Sequence, residues 1–198
     1  MSMMSMLIGA GGDNNFGDAT TSQSTDATYT IGGIEYRSHT WTGTSSGNNI
    51  TFTNSSGNGN VQADVLLIAG GGGGGGTQGT NSNGFGGGGG AGGVIIRSGF
   101  NFGLQQYDIF VGSGGAANTQ GNSGGNGTNS TIDISGGSTV LASIGGGGGG
   151  WTNDRAPGGS PTSKSTPGNG GSTGGAGGGD YDSYTDGGQG NPAGQGHR

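Results

Sequence analysis

The apolar positions of this chain occur in short segments with the two-residue period of β-strands. Apolar and polar side chains alternate over residues 34–41 and again over 50–53, as they do in a strand with one buried face. Residues 61–65 alternate and then lead into the continuous apolar stretch 65–69, which is typical of a strand entering a core covered on both sides. Further strand-like segments are 94–96, 107–111, 132–134 and 140–144.

No stretch of ten or more residues shows a helical period, so the pattern predicts an all-β protein with little or no α-helix. We expect short antiparallel strands that form a small β-sandwich or sheet. The first part of the chain divides into residues 1–28, an N-terminal docking segment with a polar spacer, and residues 29–69, a β-strand region.

Runs of glycine adjoin several of these strands. The chain has 58 glycines in 198 residues, and 10 of them lie in the first 60 positions. Unbroken or nearly unbroken runs occupy 70–76, 86–93 and 145–150, and each directly follows or precedes an apolar segment. Residues 70–198 therefore form a glycine-rich domain, whose part from 151 onward is polar and nearly free of apolar residues.

Glycine loses more conformational freedom on folding than other residues, by about 0.5–1 kcal/mol relative to Ala. Such runs therefore either stay disordered or adopt a structure that needs glycine. The expected ordered structure is a bundle of polyglycine-II helices, which have three residues per turn and no internal hydrogen bonds and bond to one another through their backbones. Residues 168–179 supply a further run. A β-sheet with long glycine loops and a disordered linker are the alternatives.

Composition and charge remove several classes of protein. The chain has no Cys and four Pro, so disulfide scaffolds, Cys-based zinc sites and collagen are excluded. Five Lys and Arg against eleven Asp and Glu speak against nucleic-acid binding. No apolar stretch is long enough for a membrane helix, and the first eight residues lack the charged region and length of a signal peptide.

The order of strands and glycine runs resembles the glycine-rich domain of bacteriophage tail proteins. The resemblance rests on the succession of segments 36–43, 50–52, 63–76, 86–95, 107–115 and 145–150. The glycine-rich C-terminal part is also similar to the tip adhesins of long tail fibres, in which polyglycine-II helices form a sandwich whose end loops contact the host receptor.

The resemblance implies a virion structural protein without enzymatic activity, most simply a tail-fibre or tail-tip component with host-receptor adhesion. Its expected location is the exterior of the virion, after assembly in the host cytoplasm. Expected partners are other virion proteins and a host surface glycan or outer-membrane protein, and we expect a homo-oligomer or attachment to an oligomeric fibre. A capsid decoration or head-fibre protein is the first alternative. An ice-binding polyglycine-II protein is the second, disfavoured because the chain lacks a regular three-residue repeat.

Motifs for cofactors, metals and catalysis give no positive signal. The single Lys, Lys164, does not follow glycine, so a phosphate-binding loop is absent. Asp180, Asp182 and Asp186 have roughly the spacing of calcium ligands, but the EF-hand pattern fails, and a solvated loop is favoured. His39 has no recognisable nucleophile partner and is interpreted as structural. We expect no cofactor, no metal and no catalytic residue.

Two sets of residues are candidates for contacts with partners. Aromatic residues and a cation just beyond glycine runs suit receptor recognition, or they cap the bundle and pack against a neighbouring subunit: Phe85, Trp151, Arg155, Tyr181 and Tyr184. An apolar N-terminal set suits docking on another virion protein, since methionine adapts to irregular surfaces: Met3, Met4, Met6, Leu7 and Ile8.

Overall fold

The structure is a computed structural model, and it describes residues 3–9, 19–44, 46–53, 60–76, 86–118 and 122–151. Within these residues the chain forms strands and no helix, so the all-β prediction is confirmed. The strands are β1 (Met3–Gly9), β2 (Ala19–Ser22), β3 (Thr25–Ile31), β4 (Ile34–Trp41), β5 (Asn49–Phe52), β6 (Asn60–Ile68), β7 (Val94–Gly103), β8 (Gln106–Phe110), β9 (Ser130–Ile134) and β10 (Thr139–Ser143).

The ten strands of the described residues build two antiparallel sheets of five strands each. The first sheet has the order β3-β4-β1-β6-β7 and the second the order β10-β9-β8-β5-β2. Their inner faces share one hydrophobic core, to which alternate residues of each strand contribute, as β6 shows with buried Val61, Ala63, Val65 and Leu67. The other buried core side chains are Trp41, Ile50, Phe52, Ile95, Phe102, Tyr107, Ile109, Val111 and Ile132.

The N-terminal residues Met3–Gly9 form a strand inside the first sheet. Strand β1 pairs with β4 on one side and with β6 on the other, so its backbone is bonded along both edges. Strand β3 covers Thr25–Ile31 and crosses the boundary expected at residue 28. In this sheet, β4 and β6 do not pair with each other; each pairs with β1, which lies between them. Docking through Met3, Met4, Met6, Leu7 and Ile8 stays a prediction.

Five extended segments leave one end of the sandwich, and each continues a strand. We call them run 1 (69–76), run 2 (86–93), run 3 (112–118), run 4 (122–129) and run 5 (145–150). Strand β6 pairs Ile68 with Val94 of β7, and the next bond along is Ala69 N–H to the Gly93 carbonyl at 3.0 Å, between runs 1 and 2. Runs 3 and 4 extend the β8–β9 pair, and run 5 extends β10, in the same registers.

Hydrogen bonds between the runs recur at every third residue. The N–H groups of run 1 donate in turn to two neighbours: those of Ala69, Gly72 and Gly75 to run 2, and those of Gly70, Gly73 and Gly76 to run 4. Its carbonyl groups accept from the other two: those of Gly71 and Gly74 from run 3, and those of Gly70 and Gly73 from run 5. This period is that of a helix with three residues per turn and no internal hydrogen bonds, which is the geometry expected of polyglycine II.

Run 1 is the centre of this bundle because it bonds to all four other runs. The four form a partial ring around it in the order 2, 5, 4, 3, since run 2 bonds to run 5, run 5 to run 4, and run 4 to run 3. The ring is open between runs 2 and 3. There, Gly71, Gly72, Gly74 and Gly75 are partly exposed.

Candidate functional site

The candidate site is the end of the bundle that lies farthest from the sandwich. Runs 1, 3 and 5 lead away from the sandwich, and runs 2 and 4 return to it. Residues 77–85 follow run 1 and precede run 2, and residues 119–121 follow run 3 and precede run 4; the described residues on either side of these two segments lie at the far end. At about 3.1 Å per residue, a run of seven residues holds this end roughly 20 Å from the strands.

Glycine is required along the runs because their backbones touch. A Cβ atom on Gly72 or Gly73 would come closer than 3.0 Å to the carbonyl oxygen of Gly147 or Ala116, a separation that real side chains do not adopt. Corresponding clashes occur at every third residue of runs 2, 3 and 4: Gly86, Gly89 and Gly92 in run 2, Gly112 and Gly115 in run 3, and Gly124 and Gly127 in run 4. Since each such Cα faces a carbonyl oxygen, weak Cα–H···O contacts add to the N–H···O bonds.

Backbone bonds reach the last residues of the bundle and fix its far end. Gly87 N–H donates to the Gly150 carbonyl at 2.8 Å, and Gly86 is bridged to Trp151. Asn118 N–H donates to Gly74, and Gly76 N–H donates to the Asn122 carbonyl, both at 3.0 Å. The residues at this end are therefore held on rigid neighbours, a good basis for a binding surface.

Of the residues expected to contact a receptor, Trp151 lies at the far end and is half-buried. Gly86, which is bridged to it, directly follows Phe85 in the sequence. Phe85, Arg155, Tyr181 and Tyr184 fall outside the described residues, as do the three aspartates Asp180, Asp182 and Asp186.

Asparagine side chains of run 4 form hydrogen bonds within the bundle, which the sequence analysis did not predict. Asn126 Oδ1 accepts a hydrogen bond from Gly148 N–H at 2.8 Å, and Asn129 Oδ1 accepts one from Gly145 N–H at 2.9 Å. The two asparagines are three residues apart, like their two donors. This shared period was the available signal, since side chains on one face of a three-residue helix recur at that spacing.

The described runs carry no ionisable side chain; their side chains are those of Ala, Ser, Thr and Asn. The described part of the far end therefore offers aromatic surface and amide groups, and no charge. The described residues contain no cluster of three His, Cys, Asp or Glu side chains that could hold a metal ion. They also contain no helix of the length and hydrophobicity that a membrane crossing requires.

An ionisable pair lies in the sandwich, away from the far end. His39, 1% exposed, places Nδ1 2.8 Å from Asp26 Oδ1. Burial alone would raise the pKa of Asp26, but hydrogen bonds from Ser24 and His39 outweigh it and hold that pKa below its ordinary value. The pair joins β3 to β4, so its geometry is that of a structural contact.

An all-β sandwich extended by backbone-packed glycine runs defines a glycine-rich module. In line with this architecture, the sequence model of the glycine-rich domain family matches residues 44–198. The chain belongs to this family. No match was found among curated proteins or among solved structures.

Proposed function

We propose that this chain is a bacteriophage virion structural protein, a tail-fibre or tail-tip component that contacts the host receptor through the far end of its glycine bundle. The observation that carries the proposal is that hydrogen bonds between the runs hold their last described residues, Trp151 among them, together at one end, opposite the sandwich. Such an arrangement keeps binding residues at the tip of a rigid support. The resemblance to glycine-rich tail domains favours the same function.

The chemistry of the far end suits an uncharged or weakly charged partner. Trp151 offers an aromatic face, and the amide-bearing residues Asn118 and Asn122 lie at the same end, where the Asn118 Nδ2 donates to the Ser123 carbonyl at 3.3 Å. Aromatic and amide groups together recognise sugars and protein loops. A host surface glycan is therefore the first partner to test, and an outer-membrane protein the second. Phe85, Arg155, Tyr181 and Tyr184 belong to the same proposed contact set.

Adhesion is tested by competition. We expect the purified protein to bind host cells and to block phage adsorption, and the substitutions Trp151→Ala and Phe85→Ala to weaken both effects by at least about tenfold, a typical loss for a central interface aromatic. The matched control is Phe110→Ala, because Phe110 is an aromatic residue with 47% exposure on strand β8 of the sandwich. Equal losses in Trp151→Ala and Phe110→Ala, or no blocking by the parent protein, would contradict the adhesive function.

The position in the virion is tested separately. Antibodies against the purified chain should label tail tips or fibres in electron micrographs of phage particles. Labelling confined to capsid faces or vertices would replace the tail assignment with the head-fibre or decoration alternative, whatever the adsorption assay gives. Light scattering of the purified protein tests the proposed homo-oligomer.

A further inference from the structure

Strand β3 forms one edge of the first sheet and lies open to solvent. It pairs with β4 on one side, and no strand of the described residues pairs with its other side. All seven of its residues, Thr25–Ile31, are exposed. Such an edge presents a row of backbone N–H and C=O groups to any further strand that fits it.

Edge strands of folded proteins normally carry features that prevent pairing with another molecule, such as a bulge, a short length, Lys or Pro. The three other edges of the described sheets have such features. The registers of β7 and β10 shift within the strand, and β2 has only four residues. Strand β3 instead pairs with β4 without a register shift over all seven residues, and it contains no Lys, Arg or Pro. Among the described edges, β3 is therefore the one suited to accept another strand.

Exposed apolar side chains lie along one face of this edge. Tyr29 and Ile31 are 46% and 59% exposed, and they share a face because they are two residues apart. Ile34 of β4, which pairs with Ile31, is 39% exposed. Adjacent exposed apolar groups of this kind are typical of interaction surfaces. A strand added to β3 would cover them in addition to bonding to its backbone.

A second copy of β3 fits this edge because the strand is complementary to itself. Thr28 is the middle residue of the seven, so an antiparallel pair with a two-fold axis at Thr28 uses the whole strand. Each bulky or charged residue then lies opposite a smaller uncharged residue of the other copy: Tyr29 opposite Ala27, Ile31 opposite Thr25, and Asp26 opposite Thr30. The two Asp26 carboxylates, the only charges of the strands, stay apart.

The backbone of β3 agrees with an axis at this residue. The turn between β3 and β4 consists of Gly32 and Gly33, with φ of 60° and 81°, as in a two-residue type I′ hairpin. The residues that flank such a turn bond to each other, so every second residue counted back from Ile31 directs its N–H and C=O groups to β4. The residues between them direct these groups away from β4: Asp26, Thr28 and Thr30.

We propose that two copies of this chain associate through antiparallel pairing of their β3 strands, with Thr28 opposite Thr28 on the two-fold axis. The two five-stranded first sheets then form one continuous sheet, and the same surface is used by both copies. Strand direction reverses at the axis, so the two bundles extend in opposite directions and neither far end is part of the contact. The dimer therefore does not rest on the adhesive function, and its failure would leave the adsorption test unaffected.

Sedimentation of the full chain tests the proposal. We expect the parent to form a dimer, and Thr28→Lys to raise the dissociation constant at least about tenfold, because like charges directly opposite each other destabilise a strand pair. The matched control is Thr20→Lys, which adds the same charge at an exposed Thr of the edge strand β2 and should leave the dimer unchanged. A parent that is monomeric or trimeric, a dimer that Thr28→Lys does not weaken, or equal weakening by both variants each overturns the proposal.

Cross-linking tests the register. The chain contains no Cys, so each single Cys variant can form a disulfide only between copies. Directly opposite residues have Cα atoms about 5.5 Å apart, a separation that a disulfide bridges; Thr28→Cys should therefore give a covalent dimer under mild oxidation. Thr30→Cys should react at least about tenfold more slowly, because its two copies lie four residues apart along the strands, roughly 13 Å. Equal rates in the two variants, or no covalent dimer of Thr28→Cys, overturns the proposed pairing.

Discussion

The sandwich and the glycine bundle are stabilised by opposite means. In the sandwich, thirteen buried hydrophobic residues fill the space between the sheets, with Phe102 in ring contact with Phe52, Phe100 and Tyr107 at centroid distances of 5.4, 4.8 and 5.0 Å. In the bundle, most of the glycines that face a neighbouring backbone leave too little space for a single methyl group. The sandwich is stabilised by the burial of side chains. The bundle is stabilised by backbone hydrogen bonds, which can form because glycine has no side chain to keep the backbones apart.

The two halves are nevertheless one structure, because each run continues a strand without a change of register. The sheets carry the alignment that the runs need, since isolated glycine segments have no side chains to specify it. We infer that the sandwich sets the register of the bundle, and that the bundle adds rigidity to the far end.

The largest expected effect comes from placing a side chain in the centre of the bundle. Gly73→Val puts a Cβ closer than 3.0 Å to the Ala116 carbonyl oxygen, and the surrounding backbone cannot move without breaking the bonds of run 1 to runs 4 and 5. We expect loss of bundle structure, seen as loss of amide protection throughout runs 1–5.

The matched control for this substitution is Gly71→Ala. A Cβ on Gly71 would meet its nearest atom, the Gly90 carbonyl oxygen, at an ordinary 3.5 Å. We expect the free energy of unfolding to change by less than about 1 kcal/mol, and to rise if the lower entropy of the unfolded chain dominates. Equal damage by both variants would show that glycine is needed for reasons other than backbone contact.

The next largest effect comes from emptying the sandwich core. Phe102→Ala should lower the free energy of unfolding by about 3–5 kcal/mol, as is usual for truncation of a buried Phe. The two tryptophans report on the two halves, since Trp41 is in the core and Trp151 is at the far end. Because the registers are continuous, fluorescence of both residues should change in one denaturation transition. Separate transitions would contradict the dependence of the bundle on the sandwich.

These comparisons also show which parts of the structure the sequence could predict. Alternation identified β4, β5 and β6, since a half-buried strand must alternate. It failed for β1 and β3: Met3–Gly9 lacks regular alternation, and Thr25–Ile31 is a polar edge strand whose residues are all exposed. The place of β1 depends on β4 and β6, which are distant in the sequence and so leave no local pattern. Strand β3 pairs with the adjacent β4 across Gly32 and Gly33, so its available signal was the glycine turn.

The bundle was predictable where glycine is continuous and missed where it is periodic. Runs 1, 2 and 5 are nearly pure glycine, whereas run 4 contains Asn126, Thr128 and Asn129. Only Gly124 and Gly127 of run 4 face a carbonyl too closely for any side chain. A glycine at every third position was therefore a better indicator of a run than continuous glycine. The far end could be predicted in part: Trp151 was identified, but the side-chain bonds of Asn126 and Asn129 depend on contacts with run 5.

A moderate effect is expected at the junction of the two halves. The buried Ser130 hydroxyl donates to the Ile68 carbonyl and accepts from Gly112 N–H, both at 2.8 Å. Ser130→Ala should cost about 1–3 kcal/mol, because it removes both bonds in a buried environment. Ser143 is equally buried, but its hydroxyl has no partner among the described residues. In denaturant titrations, Ser143→Ala should therefore be neutral or stabilising. Equal losses of stability in the two variants would indicate that Ser130 contributes through packing and not through its hydrogen bonds.

The smallest effect is a difference in pH dependence. The folded-state pKa of Asp26 is below its ordinary value, so its contribution to stability is present above the unfolded-state pKa, about 3.9, and is lost as the pH falls through the folded-state pKa. Asp26→Asn should be less stable than the parent at pH 7, and this difference should shrink as the pH is lowered below about 4. The described runs have no ionisable side chain, so the cost of Gly71→Ala should not change over the same range. A difference between parent and Asp26→Asn that is constant with pH would contradict the stabilisation of the Asp26 carboxylate by its hydrogen bonds to Ser24 and His39.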